Sequence, residues 1–267
     1  GVRRSALISL SNLSDDLLRG AKSGDWWNHH SYRSYANNSA VYKDRPEMGI
    51  FMKEWTSLYE SRSGERGMFS RAAVKKQVAA NGRRNPDFDF GTNPCCEIIL
   101  RPNQFCNLTE VVVKKTDTLE TLKEKVRLAT ILGTYQSTLT DFKYLRKIWQ
   151  KTTEEERLLG VSLTGIMDNK LTNGAEGNLP QVLEELRELA VETNKVWAEA
   201  LGIPQSTAIT CVKPSGTVSQ LVDAASGIHA RHSKYYIRRV RGDKKDPLTQ
   251  FLMDSGIPCE DAVGDIE

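Results

Sequence analysis

Residues 93–97 read Asn-Pro-Cys-Cys-Glu, and Cys106 follows Cys95 by eleven positions in "QFCNLTE". An amide, a thiol and a carboxylate this close together can form a hydrogen-bonding cradle for a polar substrate beside a reactive group. Pro94 disfavours helix for Asn93, so the stretch is expected to be extended or turning. In an extended chain side chains alternate faces, which would place Asn93, Cys95 and Glu97 together and Cys96 opposite. That arrangement nominates Cys95 over Cys96 as the reactive thiol. Buried apolar cysteines, a zinc site and a vicinal disulfide compete with this reading. Zinc is disfavoured: the chain has no C-x-x-C pair, and His29, His30, His229 and His232 show no ligand spacing to these thiols. Spacing alone leaves the remaining alternatives open.

A second constellation is "VKPSGTVSQLV", residues 212–222. It reads as a strand entering a Pro-Ser-Gly-Thr turn and leaving as a helix. Gly216 permits close backbone approach, and Ser215, Thr217 and the first helical amides can donate to phosphate oxygens. An N-capped turn that binds nothing has the same pattern. Paired with the cysteine segment in one α/β domain, it becomes a nucleotide-phosphate site facing a reactive thiol.

These segments need a scaffold, and the rest of the chain supplies its signals. "SALISL" and "NNSAVY" (37–42) are strand candidates, with Ser11 or Ser14 capping a short helix after the first. "EMGIFMKEWTSLYES" is helical, with Ile50, Met52, Trp55, Leu58 and Tyr59 approximating an apolar face. "SGERGMFSR" and "NGRRNPDFDFGTNP" read as loops, in which Glu65, Arg66 and Arg71 are expected to be solvated. "TEVVVKK" is a strand, and Asp117 with Glu120 makes a capping-box-like start to a helix carrying Leu119, Leu122, Val126, Ala129 and Leu132. "TEEERLLGVSLTGIMDN" passes from helix into a buried strand. "LPQVLEELRELAVETNKVWAEALG" is the clearest helix, with Leu183, Leu186, Ala190, Val196, Trp197 and Ala200 on one side and Gly202 as its stop. "STAITCV" and "KYYIRRVR" read as strands, and "GDKKDPLTQFLMDSGIP" as an appended helix. Strands alternating with helices of this length predict an α/β domain with parallel pairing, as a barrel or a doubly wound sheet, spanning 1–267 as a single domain.

The composition allows this: 267 residues, 39% hydrophobic and 27% charged, describe an ordinary globular chain able to bury a core. A net charge of +3 gives no argument for nucleic-acid or membrane partners. Five cysteines, an odd number, argue against a secreted disulfide framework and for a reducing, cytoplasmic setting. Both ends are expected to be cut rather than finished.

Taken together, "NPCCEIILRPNQFCNL" resembles the catalytic segment of ribonucleotide reductases. "VKPSGTVSQL", "SGIHAR" and "YYIRRVR" resemble the monomeric, adenosylcobalamin-dependent (class II) ribonucleoside-triphosphate reductases, as do "RRSALISL", "NNSAVY", "SGERGMFSR" and "GVSLTGIMD" in the same order. The resemblance implies part of a ten-stranded α/β barrel with the reactive cysteine on a central loop, here its middle and later portion. Cys95 would be the thiyl-radical residue, Glu97 the base for the ribose 3′-hydroxyl and Asn93 its hydrogen-bonding anchor. Cys106 would be one of two cysteines delivering reducing equivalents, and Ser215, Gly216 and Thr217 would hold the substrate phosphates. The implied cofactor is adenosylcobalamin. The implied partners are a ribonucleoside triphosphate, a dithiol reductant such as thioredoxin, and missing parts of the same enzyme, without which the chain is expected to be inactive. No metal ligand, nucleic acid or membrane partner is implied, and Cys96, Cys211 and Cys259 are read as structural.

Three alternatives stand beside this. A class I large-subunit fragment would share the chemistry, although Pro94 and the "PSGT" loop depart from that pattern. A non-catalytic nucleotide-binding remnant or split-gene module has no chemical reason to keep Asn93, Cys95, Glu97 and Cys106 together. A thiol hydrolase needs a histidine base near Cys95, and the histidines lie in segments with other readings.

Overall fold

The computed structural model describes residues 7–261, apart from the side chain of Thr217. The chain divides into two compact units, Gly1–Ala230 and Arg231–Glu267.

The first unit opens with strand β1 (Leu7–Ser11), short helices α1 (Asp16–Arg19) and α2 (Trp26–His29), and strand β2 (Ala36–Tyr42). Asp15, rather than Ser11 or Ser14, caps α1 by accepting from the Leu18 amide at 2.9 Å. Helix α3 (Met48–Ser61) leads to strand β3 (Gly67–Ser70) and helix α4 (Arg71–Asn81). β1, β2 and β3 form a parallel sheet in that order, as the intervening helices require. The β3 segment corrects the expectation of a loop. Glycine and arginine mask its pattern, yet Gly67–Ser70 pairs with Ser39–Tyr42.

The charged residues of that segment are not solvated either. Arg66 is buried and donates to both oxygens of buried Glu54 on α3 at 3.0 Å, and to Ser11 at 2.8 Å. Glu65 takes Lys22 at 2.9 Å and the Asn38 amide at 2.9 Å. Arg71 donates to the Phe90 carbonyl at 3.0 Å. On α3 the buried residue is this carboxylate, while Ile50, Met52, Trp55 and Tyr59 of the expected apolar face are exposed.

A tight hairpin follows, β4 (Gly91–Thr92) antiparallel to β5 (Ile99–Leu100). Strand β6 (Leu108–Val112), helix α5 (Leu119–Gln136), helix α6 (Lys147–Glu156) and strand β7 (Gly160–Thr164) come next, and β6 pairs with β7 in parallel. Thr118, not Asp117, caps α5, in a reciprocal box with Thr121. Asp117 supports it from one residue earlier. Burial alone would raise its carboxyl, but hydrogen bonds from Lys125, Lys114 and Thr121 outweigh this and hold it below the usual range.

Helix α7 (Leu179–Leu201) ends at Gly202, whose φ of 65° is left-handed. It buries Val182, Leu186, Ala190, Thr193, Asn194 and Ala198, so its inner face is rotated from the expected one and Leu183 and Val196 are exposed. With α5 it covers β6 and β7, and Val111, Val113, Leu122, Val126, Leu159, Val161 and Ile209 join its apolar residues in one core. Buried Asn194 is satisfied by Thr134 and Ser206. "STAITCV" runs beside β7, with an isolated parallel bridge of Thr210 to Val161 rather than a full strand. Helix α8 (Thr217–Leu221) closes this unit.

In the second unit, α9 (Pro247–Asp254) forms as expected, capped by Asp246. Residues 234–241 carry no strand. Ser5 and Ala6 of the first strand candidate lie outside the described residues. Among the described residues no helix is long and apolar enough to cross a membrane.

Candidate functional site

The cysteine segment is the loop of the β4–β5 hairpin. Its proline does what proline favours at the second position of a β-turn: the Cys96 amide donates back to the Asn93 carbonyl at 2.9 Å. Cys96 sits at φ 64°, in the left-handed region. The chain is therefore folded at this point, and the alternating-face argument does not describe it.

Asn93 and Glu97 meet nevertheless, across the turn rather than along a strand. Asn93 Nδ2 donates to Glu97 Oε1 at 2.6 Å, while Asn93 Oδ1 accepts from the Ile98 amide at 3.0 Å and from Thr92 at 3.3 Å. The amide thus ties both ends of the loop together. β2 supports the turn from below: Asn37 donates to the Pro94 carbonyl at 2.5 Å, and Ser39 Oγ lies 3.7 Å from Cys96 Sγ. Cys95 and Cys96 are both exposed free thiols, so Cys96 is not a buried structural residue.

Glu97 has a second donor. Lys213 Nζ lies 2.7 Å from Glu97 Oε1, with the lysine side chain 14% and the carboxylate 10% exposed. One carboxylate oxygen therefore takes two donors. The other, Oε2, is buried and accepts no hydrogen bond. A buried acceptor left unpaired costs roughly 1–3 kcal/mol, so such an atom marks a place where a ligand proton can be received.

Two more thiols surround this pair. Burial pushes the Cys106 thiol up, Glu97 adds to the shift and Lys213 opposes it. Cys106 keeps an accessible face. Cys211 is pushed up to about 12, by burial first and then by Glu97, with Lys213 opposing and Cys106 adding. Cys211 is thus part of the same electrostatic neighbourhood. It fits there because Gly160 has no side chain: a Cβ at that position would stand 3.1 Å from Cys211 Sγ and 2.5 Å from Leu108 Cδ2.

The predicted phosphate loop is a turn into α8, as read from the sequence. Ser215 is buried and its hydroxyl has no hydrogen-bond partner. Gly216 is exposed, and its carbonyl accepts from Ser219 Oγ at 2.6 Å. The backbone of Thr217 opens α8, and the expectation for its side chain lies outside the described residues. Gly227 (φ 52°), in the stretch "SGIHAR", lies against the loop so closely that a Cβ would stand 2.7 Å from the Lys213 carbonyl. Gly227 in turn donates to Thr164 at 3.0 Å, at the end of β7.

The structure therefore joins Asn93 to Glu97 directly, places Cys106 near both charges and connects the loop at 213–216 through Lys213. Among the described residues no hydrogen bond links the Ser215 hydroxyl to the cysteine turn. Sequence reasoning passed over Lys213, although a lysine one residue ahead of Pro-Ser-Gly-Thr was a visible signal. Cys211 carried no sequence signal, because its relevance comes from pairing across strands.

No family model matches the chain. Its fold is that of the ribonucleotide reductases. A class II, B-12-dependent ribonucleotide reductase superimposes with TM-score 0.63 at 23% identity, over 83% of this chain and 34% of that one. A class Id α subunit from Actinobacillus ureae superimposes with TM-score 0.61 at 15% identity, over 95% of this chain and 53% of that one. In sequence the chain is similar to the adenosylcobalamin-dependent ribonucleoside-triphosphate reductase of Lacticaseibacillus paracasei, at 28% identity over 97% of this chain and 37% of the relative. It is likewise similar to that of Euglena gracilis, at 29% identity over 97% of this chain and 35% of the relative. The chain thus spans about a third of the length of the curated relatives it matches. The resemblance read from the motifs runs over nearly the whole chain, and the expected α/β architecture of a reductase barrel stands with it.

Proposed function

We propose that this chain carries the catalytic turn and the phosphate-binding loop of an adenosylcobalamin-dependent ribonucleoside-triphosphate reductase. The observation that supports it most is the Asn93–Glu97 contact of 2.6 Å beside the buried, unpartnered Glu97 Oε2. A hydroxyl anchor and a proton acceptor are already in register on a turn whose neighbouring thiol, Cys95, is exposed.

In this reading Cys95, as a thiyl radical, takes the hydrogen from C3′ of the ribose. Glu97 Oε2 accepts the 3′-hydroxyl proton, and Asn93 holds Glu97 in place and shares the ribose hydroxyls. The 2′-hydroxyl leaves as water, and Cys106 with a second thiol supplies two electrons and ends as a disulfide. Ser215, Gly216 and Thr217 receive the phosphates. Adenosylcobalamin supplies, when bound, the radical equivalent that side chains cannot generate. Cys95 is the residue that would meet it, and its exposure at the turn suits a bulky radical source. The reading also includes a dithiol reductant such as thioredoxin, further parts of the same enzyme and a cytoplasmic setting.

The likeness to a class Id subunit is one of fold, whereas the similarity in sequence is to adenosylcobalamin-dependent enzymes. The discriminating test supplies the gene product carrying this sequence with a ribonucleoside triphosphate and dithiothreitol, with and without adenosylcobalamin. Formation of 2′-deoxyribonucleotide only with the cofactor is expected. Turnover that instead requires a separate radical-generating subunit would overturn the class assignment.

A further inference from the structure

Two buried oxygens without partners belong to the Lys213–Glu97 pair and its neighbour in the chain. Glu97 Oε2, on the paired carboxylate, accepts nothing, and Ser215 Oγ, two residues after Lys213, bonds to nothing. Lys213 lies two residues before Ser215, so their Cα atoms are at most about 7 Å apart. The lysine stem, four methylenes with three rotatable donors at its end, can therefore reach either side without backbone movement. The backbone itself is held, since Gly227 packs against the Lys213 carbonyl and the Ser215 amide.

We propose that Lys213 is a positioning residue that exchanges its ammonium between Glu97 and the phosphate chain of the substrate. This rests on the reading of the site given above and assigns a role to a residue that reading leaves unused. Without substrate, Lys213 neutralises a carboxylate whose surroundings have little water. A polyphosphate arriving beside Ser215 carries more negative charge than one carboxylate and offers more acceptor oxygens, so the ammonium follows it. Glu97 then keeps only the Asn93 amide on Oε1, and its freed charge is available to the 3′-hydroxyl proton. No covalent bond changes in this exchange. The base is thereby uncovered when the phosphate end is seated, which couples recognition at one end of the nucleotide to chemistry at the other.

The test compares wild type, Lys213→Met and Lys213→Arg, each checked for folding by circular dichroism. Binding of inorganic tripolyphosphate is measured by calorimetry, and reduction of a ribonucleoside triphosphate is compared with that of the unphosphorylated ribonucleoside. Tripolyphosphate affinity is expected to fall at least tenfold in Lys213→Met and to be largely retained in Lys213→Arg. The triphosphate should lose its kcat advantage over the free ribonucleoside in Lys213→Met, because Glu97 is no longer covered in either case. Unchanged tripolyphosphate affinity, or an unchanged kcat preference, would overturn the exchange. A wild type that binds tripolyphosphate through Lys213 yet reduces no ribonucleotide would count against the reductase reading and leave the phosphate contact of Lys213 standing.

Discussion

Lys213 and Glu97, 116 positions apart in the chain, meet at 2.7 Å. This contact ties the hairpin loop at 93–97 to the turn that opens α8, two segments that share no strand. The hairpin brings an amide, a carboxylate and an exposed thiol, and the turn brings a buried hydroxyl without a partner. Each half alone has ordinary explanations. Joined by an ion pair, they form a single candidate site.

The Asn93 amide is the clasp of that hairpin, and its loss should be felt twice. Asn93→Ala removes the bond to Glu97 and leaves the Ile98 amide without its acceptor. Hydrogen–deuterium exchange at Ile98 should accelerate at least tenfold. Any ribonucleotide reduction should fall by roughly 10²-fold or more, in line with the usual contribution of a positioned base. Unchanged exchange at Ile98 would show that the loop is held by other contacts.

The position of the hairpin depends on a buried ion pair between Arg84 and Glu156. Arg84 donates to Glu156 at 2.7 Å, to the Ile99 carbonyl of β5 at 2.8 Å and to Gln104 at 3.0 Å. Glu156→Ala would leave the Arg84 guanidinium buried and unpaired, at a cost of about 3–5 kcal/mol. The denaturant midpoint should drop accordingly. Arg84→Met combined with Glu156→Leu should recover much of the loss, because the stranded charge is then gone. A double variant no better than the single one would show that the pair contributes through geometry rather than charge compensation.

The thiols should separate by reactivity. Cys211, pushed up to about 12, has little thiolate near neutrality, and Cys106 is raised as well. Iodoacetamide at pH 8 should therefore modify exposed Cys95 and Cys96 well before Cys211, as read by peptide mass spectrometry. Modification of Cys211 in the folded protein should rise about tenfold per pH unit from there. The stability effect has the matching sign. The folded state holds the Cys211 proton more tightly than the unfolded state, whose thiol titrates near 9.0, so this contribution is complete below about 9 and is lost as pH rises toward about 12. Early labelling of Cys211 at pH 8 would contradict the buried placement.

Much of the scaffold was legible because it follows from local rules. Alternating strands and helices gave parallel pairing, Gly202 ended α7, and the Pro-Ser-Gly-Thr turn ran into a helix. The departures have a common cause, in that the deciding contacts are distant in sequence. Strand β3 and the burial of Arg66 depend on Glu54 and Ser11, which no local pattern announces. For the same reason α3 buries a carboxylate in place of its apolar stripe. In α7 the inner face follows Asn194 and its partners Thr134 and Ser206, rather than the most hydrophobic positions. Asn93 and Glu97 were nominated by an extended-strand argument, yet they meet because Pro94 turns the chain. Lys213 was in plain view and became informative only through its partner.

The central claim is that Cys95 performs the radical chemistry and its neighbour does not. It is tested most directly with the gene product carrying this sequence, given a ribonucleoside triphosphate, adenosylcobalamin and a dithiol, as wild type, Cys95→Ser and Cys96→Ser. The account predicts deoxyribonucleotide from wild type and Cys96→Ser and none above background from Cys95→Ser. Undiminished product from Cys95→Ser, or loss confined to Cys96→Ser, would contradict it.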